Sequence, residues 1–214
     1  MRYEIVAQPG YAMVKVFLDI GEAVYGEAGS MVAISGEVKV ETQYKGILKA
    51  FTTRESIFIN KFIAQSKEAS VWLAPFVPGD IRYIEVRRGK GLILASSVYL
   101  AHYGEIERNV VWRGLKGVLG GGGLIWLKLT GEGGVWVNSC GAIIEKEVKL
   151  GEKFIMDNFH LVCMDDTLSY KIRKFGGLKS FLLGGEGLVF EAEGEGKIYL
   201  QTRNPSFYYR LSKS

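Results

Sequence analysis

Short apolar runs broken by glycine follow one another along the whole chain, and few are long enough to make a helix. Val135-Trp136-Val137 and Lys197-Ile198-Tyr199-Leu200 have the β-branched and aromatic character of strands. Turn signals fall at Pro9-Gly10, Gly36, Pro78-Gly79, Gly89-Lys90-Gly91, Gly131-Glu132-Gly133-Gly134 and Gly194-Glu195-Gly196. The pattern therefore predicts strand after strand. Arg54 to Ala69 also fits a helical period, but its place in the repeat described next assigns it to strand. A short helix around Val111 to Leu119 is compatible with the pattern and leaves the class unchanged.

The runs repeat. Gly120 to Ser139, GGGGLIWLKLTGEGGVWVNS, aligns without gaps on Leu183 to Thr202, LGGEGLVFEAEGEGKIYLQT, at a constant offset of 63. A looser copy, Leu48 to Ala74, ends on Val71-Trp72-Leu73, which gives Trp72, Trp136 and Tyr199 equivalent places. A second element, Gly89 to Tyr103, aligns with Gly151 to Asp165 at an offset of 62. The third version of that element lies near the N-terminus, where Gly21-Glu22 matches Gly151-Glu152 and Met31-Val32-Ala33 matches Leu161-Val162-Cys163. The expectation is one all-β domain over residues 1–214, made of three β units with pseudo-threefold character. Its copies run over about residues 48–103, 115–165 and 178–203, the last completed by 13–35, so strands from the two chain ends close the third unit. Closure removes exposed strand edges.

Composition agrees with this picture. The 214 residues are 48% hydrophobic, enough for a packed core, and 28 glycines against 4 prolines point to tight turns rather than linkers. A formal net charge of +4 is too mild to mark a nucleic-acid binder without a basic stripe. No run approaches the ~20 apolar residues a spanning helix requires, and Met1-Arg2-Tyr3-Glu4 does not begin a secretory signal. Two cysteines, Cys140 and Cys163, suit a reducing compartment, so a cytoplasmic location is expected.

The run LDIGEAVYGEAGSMVAISGEV (Leu18 to Val38), the Pro78-Gly79-Asp80-Ile81 turn, the glycine-rich approach to Leu124, and LLGGEGLVFEAEGEGKIYLQTR (Leu182 to Arg203) resemble the mitochondrial-biogenesis family named for altered inheritance of mitochondria. The likeness covers roughly Tyr3 to Arg203 and is carried by glycine and hydrophobic positions, so it speaks to fold more than to chemistry. It implies a β-sandwich of the double-stranded β-helix kind, like the tryptophan RNA-binding attenuator, and assembly into rings. Mitochondrial members are linked to inner-membrane organisation.

Catalytic and ligand-binding motifs are sparse. The histidines, His102 and His160, do not occupy equivalent repeat positions. Cys140, Cys163 and His160 are the one conceivable metal triad, and core packing explains the thiols better. Cys163 and His160 lie three apart on one strand, which points them to opposite faces. Gly120 to Gly123 lacks the Lys-Ser/Thr of a phosphate loop. Glu132 and Glu195 each bring one carboxylate to a turn where calcium needs about six oxygens. Asp157, Asp165, Asp166 and Glu152 are candidate acid–base groups that read more simply as strand ends.

Basic residues gather as Arg82, Arg87, Arg88 and Lys90, and as Lys171, Arg173, Lys174 and Lys179. Phe207, Tyr208 and Tyr209 lie beside Arg203, Arg210 and Lys213, a combination that holds single-stranded RNA in other proteins. No catalytic, metal or cofactor residues are assigned, and no cofactor is expected. The expected function is a non-enzymatic, homo-oligomeric assembly or binding module, with a protein partner conceivable. Single-stranded nucleic-acid binding and an enzyme on a β scaffold are the alternatives.

Overall fold

A computed structural model describes residues 1–43, 59–113, 125–174 and 188–205. Among them are seventeen strands, one 3-10 turn (Ser96–Val98) and no α-helix. After an N-terminal strand β1 (Arg2–Val6) come β2 (Met13–Leu18), β3 (Ala23–Glu27), β4 (Met31–Ser35), β5 (Val38–Gln43), β6 (Ile59–Ala64) and β7 (Ala69–Leu73). Next are β8 (Ile81–Val86), β9 (Leu92–Ala95) and two long strands, β10 (Tyr99–Arg113) and β11 (Ile125–Asn138). The last six are β12 (Ile143–Val148), β13 (Lys153–Asp157), β14 (Leu161–Asp165), β15 (Ser169–Lys174), β16 (Leu188–Glu193) and β17 (Gly196–Gln201). All their pairings are antiparallel, so the all-β single-domain expectation holds.

Strand pairings of a similar kind recur in β2–β7, β8–β11 and β12–β17. In β2–β7, β7 lies between β2 and β4, and β6 lies between β3 and β5. In β12–β17, β17 lies between β12 and β14, and β16 between β13 and β15. In β8–β11 the last half of β11 lies between β8 and the start of β10, and its first half between β9 and the rest of β10. Three bulges fall at matching places, Met31/Ala33, Tyr99/Ala101 and Leu161/Cys163, each setting the next residue opposite Trp72, Trp136 or Tyr199. Among the described residues no ladder joins 13–35 to 188–203. The two chain ends are not zipped together by those strands, because β17 takes both its partners from β12 and β14.

Two sequence expectations are corrected. Val111 to Arg113 continue β10 as strand, and residues 114–119 lie outside the described ones. The turn expected at Gly131-Glu132-Gly133-Gly134 is absent, because β11 runs straight through it. There the strand changes its outer partner from β9 to β8 while β10 stays beside it throughout, from Tyr99↔Val137 to Arg113↔Ile125. The glycines serve this close ladder. At Gly131, with φ +121°, an added Cβ would lie 1.9 Å from the Glu105 carbonyl oxygen. Backbone strain of this kind costs about 1–3 kcal/mol. Gly131→Ala is therefore expected to lower Tm by about 4–8 °C, taking about 2 kcal/mol for a domain of this size; a thermal melt within a degree of the parent would refute it.

Strand alternation builds two buried clusters. One packs Val14, Val16, Val71 and Leu73 of the sheet β1-β2-β7-β4 with Phe62, Leu100 and Trp136 of the sheet that holds β6, β10 and β11. The other gathers Leu94, Trp126, Leu129, Met164, Phe190 and Ile198, with the Trp126 and Phe190 rings 4.5 Å apart. Trp136 and Tyr199 are buried in different clusters and Trp72 is half-exposed, so the three equivalent aromatics do not share one layer.

Candidate functional site

The places where one wired stretch meets the next carry the most distinctive chemistry. At the first seam β10 lies beside β3, with Ala101 opposite Gly26 and His102 opposite Tyr25. The Tyr25 and His102 rings stack at 4.7 Å and are parallel to within 1°. His102 Nδ1 and the Tyr99 hydroxyl share a 2.5 Å hydrogen bond, both residues being buried. Arg108 rides over the Tyr99 ring, and Lys61 over Tyr25. Burial, then the Arg108 charge, pushes the His102 pKa down to about 3, so its imidazole is neutral. Burial alone pushes Glu27 up to about 7, and it makes no ion pair among the described residues. The same desolvation raises the Tyr99 phenol.

At the second seam β14 lies beside β9, with Cys163 opposite Leu94, Met164 opposite Ile93 and Asp165 opposite Leu92. Its core is apolar and its end is ionic. Asp166 accepts the Gly91 N–H at 2.7 Å and pairs with Lys128 at 2.9 Å, while Asp165 pairs with Lys90 at 3.0 Å. Asp165 also accepts the Lys197 N–H. The carboxylates singled out in the sequence are thus structural groups at a joint. Likewise Glu152 closes the turn before β13 on the Lys149 N–H and binds Lys146, and Asp157 accepts the Phe159 N–H.

The residues that made a conceivable metal triad are not brought together as one. Cys163 is buried in β14, and desolvation raises its thiol pKa far up. Cys140 lies in the β11–β12 turn, its N–H bound to Gln201 Oε1. His160 is in the turn before β14, not on the strand, and its Nδ1 donates to the Gln201 carbonyl. Among the described residues no group of three His, Cys, Asp or Glu side chains is placed to hold a metal. In the basic clusters, Arg87 pairs with Glu85, Arg88 with Glu132, Lys90 with Asp165 and Arg173 with Glu191. Gly120 to Gly123, Lys179, Phe207, Tyr208, Tyr209, Arg210 and Lys213 lie outside the described residues.

Two strand edges complete the site. β4 ends the sheet β1-β2-β7-β4 and β13 ends the sheet β13-β16-β15, so each has one side without a strand partner among the described residues. Their counterparts are the strands that make the two seams: β4 corresponds to β14 and to the start of β10, and β13 to β3 and β9. Met31, Val32 and Ile34 of β4 are exposed, as is Ile155 of β13. The alternation rules that find strands carry no signal for these edges, nor for Tyr25, Glu27, Tyr99 and Arg108, which the seam draws from distant stretches.

Antiparallel sheets joined by seams, with β4 and β13 among the strand edges that stay open in the described residues, define an all-β scaffold. Across its described residues no helix is long and apolar enough to cross a membrane. The chain belongs to the mitochondrial biogenesis AIM24 family, whose model matches residues 3–203. It is 30% identical over 220 residues to an uncharacterised protein of Streptococcus pyogenes serotype M6, covering 95% of this chain and 86% of that one. A crystal structure of a Streptococcus pyogenes protein superposes with a TM-score of 0.80 at 27% identity, over 99% of this chain and 98% of the other. The resemblance read from the sequence is therefore correct at the level of family and fold class.

Proposed function

We propose that this protein is a non-enzymatic assembly or binding module of the cytoplasm, built of three related β units, which docks partners through the free sides of β4 and β13. The observation that carries this reading is the exposure of apolar residues on two unpaired edges whose counterparts are buried in seams. An exposed edge presents unmet N–H and C=O groups in a row, which is how extended segments are captured by strand addition. The neutral His102, the engaged carboxylates and the buried thiols offer no nucleophile or base beside an open cleft, which weighs against an enzyme. Pairing of Arg87, Arg88, Lys90 and Arg173 with carboxylates weighs against RNA as the main ligand. Two buried free cysteines fit a reducing compartment.

Native and denaturing mass spectra of gently purified protein test the reading. A non-covalent complex, with a second copy or another chain, is the expected result. A bare monomer at micromolar concentration, in lysate and after purification, would overturn it.

A further inference from the structure

We infer that Tyr83 and Tyr103 form an oxidation site, where a one-electron oxidant generated from hydrogen peroxide joins the two rings by a carbon–carbon bond. The product is a dityrosine bridge from β8 to β10, and it forms whatever the strand edges dock.

The two residues lie on strands either side of β11, Tyr83 opposite Trp136 and Tyr103 opposite Gly134. Trp136 and Gly134 are two apart on one strand, so all four residues share a face. Neighbouring strands are about 4.8 Å apart, so side chains two strands away meet only if both are long and nothing stands between them. Here they meet. The hydroxyls share a 2.9 Å hydrogen bond, and the rings are parallel to within 7°. Gly134 leaves the room for this contact. A Cβ added there would lie 2.3 Å from Tyr83 Cε2 and 2.5 Å from Tyr103 Cε1, so these two carbons converge on the place a side chain would fill. They are the ring carbons next to the hydroxyls, where an oxidised phenol carries much of its unpaired electron. At the offset that aligns Trp136 with Tyr199, Gly134 falls on Lys197, whose side chain occupies its place and pairs with Glu145 at 2.6 Å.

Access favours these rings over the thiols. Tyr3 is 36% exposed and its ring lies 4.9 Å from that of Tyr83, so an electron taken from Tyr3 at the surface is replaced from Tyr83. Peroxide otherwise attacks accessible thiolates, but Cys140 is 4% and Cys163 0% exposed, and burial raises both thiol pKa values.

The reaction balances with peroxide as the oxidant. Each phenol loses one electron and its hydroxyl proton, and the two radicals couple between Tyr83 Cε2 and Tyr103 Cε1. Each of those carbons then gives its hydrogen as a proton to its own ring's oxygen, which restores both aromatic rings. The two electrons and two protons released convert one hydrogen peroxide into two waters. Thiols do not reverse a carbon–carbon bond, so the bridge fixes β8 and β10 permanently over Trp136.

Treating dilute protein with a haem peroxidase and hydrogen peroxide tests the site. The expected product is a monomer lighter by two hydrogens, with dityrosine fluorescence and, after digestion, the Tyr83 peptide joined to the Tyr103 peptide. Digesting the chain before oxidation is expected to lower the yield of that link at least about tenfold, because the fold supplies the proximity. Tyr83→Phe and Tyr103→Phe keep the rings and are each expected to lose the link, whereas Tyr3→Phe slows its formation. A link formed mainly between Tyr83 and Tyr3, or mainly between chains through the 78% exposed Tyr11, overturns the inference. So does an equal yield from the digest, or no link at all.

Discussion

Replacing Glu27 with Gln is expected to expose a slope of about 1.4 kcal/mol per pH unit in folding stability between pH 6.5 and 4.5, where the parent protein is nearly flat with respect to this pair. The reason is a proton count at the first seam. In the unfolded chain Glu27 and His102 titrate near 4.5 and 6.5, but in the folded seam near 7 and 3. At pH 5.5 the folded protein keeps one proton on Glu27 and none on His102. The unfolded chain keeps one on His102 and none on Glu27. Equal counts give no slope.

Removing either partner breaks the balance. Without Glu27, only His102 matters: its depressed pKa gives stability that is complete above pH 6.5 and is lost as pH falls toward 3, about 5 kcal/mol in all. Without His102, as in His102→Phe, only Glu27 matters. Its raised pKa gives stability that is complete below pH 4.5 and is lost as pH rises to 7, about 3 kcal/mol in all. Other carboxylates held below their usual range, such as Glu191 by Lys153, act equally in each protein. Urea denaturation at a series of pH values, read as each variant minus parent, checks the result. Parallel curves would mean that the seam does not hold these two groups in the states described.

The second large effect separates two of the three aromatic residues that the sequence makes equivalent. Trp136→Ala is expected to cost about 3–5 kcal/mol, as for a large aromatic removed from a closed core. Trp136 is 0% exposed and touches the rings of Tyr3, Tyr83 and Tyr103 at centroid distances of 5.4, 5.7 and 5.7 Å. Trp72 is half-exposed, its ring covered by Lys15 and its indole N–H donated to Ser70, so Trp72→Ala is expected to cost about 1–2 kcal/mol. Trp136→Phe adds a sharper comparison. The Trp136 indole N–H is buried without an acceptor among the described residues, so Phe keeps most of the packing and removes an unmet donor. Chemical denaturation giving Trp136→Ala and Trp72→Ala equal costs would contradict this placement.

Alternation of apolar residues and the spacing of glycines made the strand content legible, because both follow from local sterics. The matched residues around Trp136 and Tyr199 also correspond to matched ladders, since the bulge before each facing strand recurs. The Gly131-Glu132-Gly133-Gly134 run misled for a physical reason. Glycine clusters signal turns, but they also mark a strand crowded by its neighbour, and sequence does not distinguish the two. Pairing of the last strands with N-terminal ones was a global inference from a local match, and it missed that β17 already has two neighbours in β12 and β14. The seam residues were least legible. Tyr25, Tyr99 and Arg108 look like ordinary strand positions, and His102 acquires its character only from the residues that bury it.

β10 and β11 have a mechanical consequence. Near Tyr99↔Val137 alternate residues of their shared ladder enter different clusters, Tyr99 and Val137 one and Leu100 and Trp136 the other, and the end at Ile125 packs against the first again. They act as a common beam under two floors. Neither cluster can loosen without bending a wall that the other leans on, because Tyr99, bonded to His102, and its chain neighbour Leu100 pack into different clusters from one stretch of backbone.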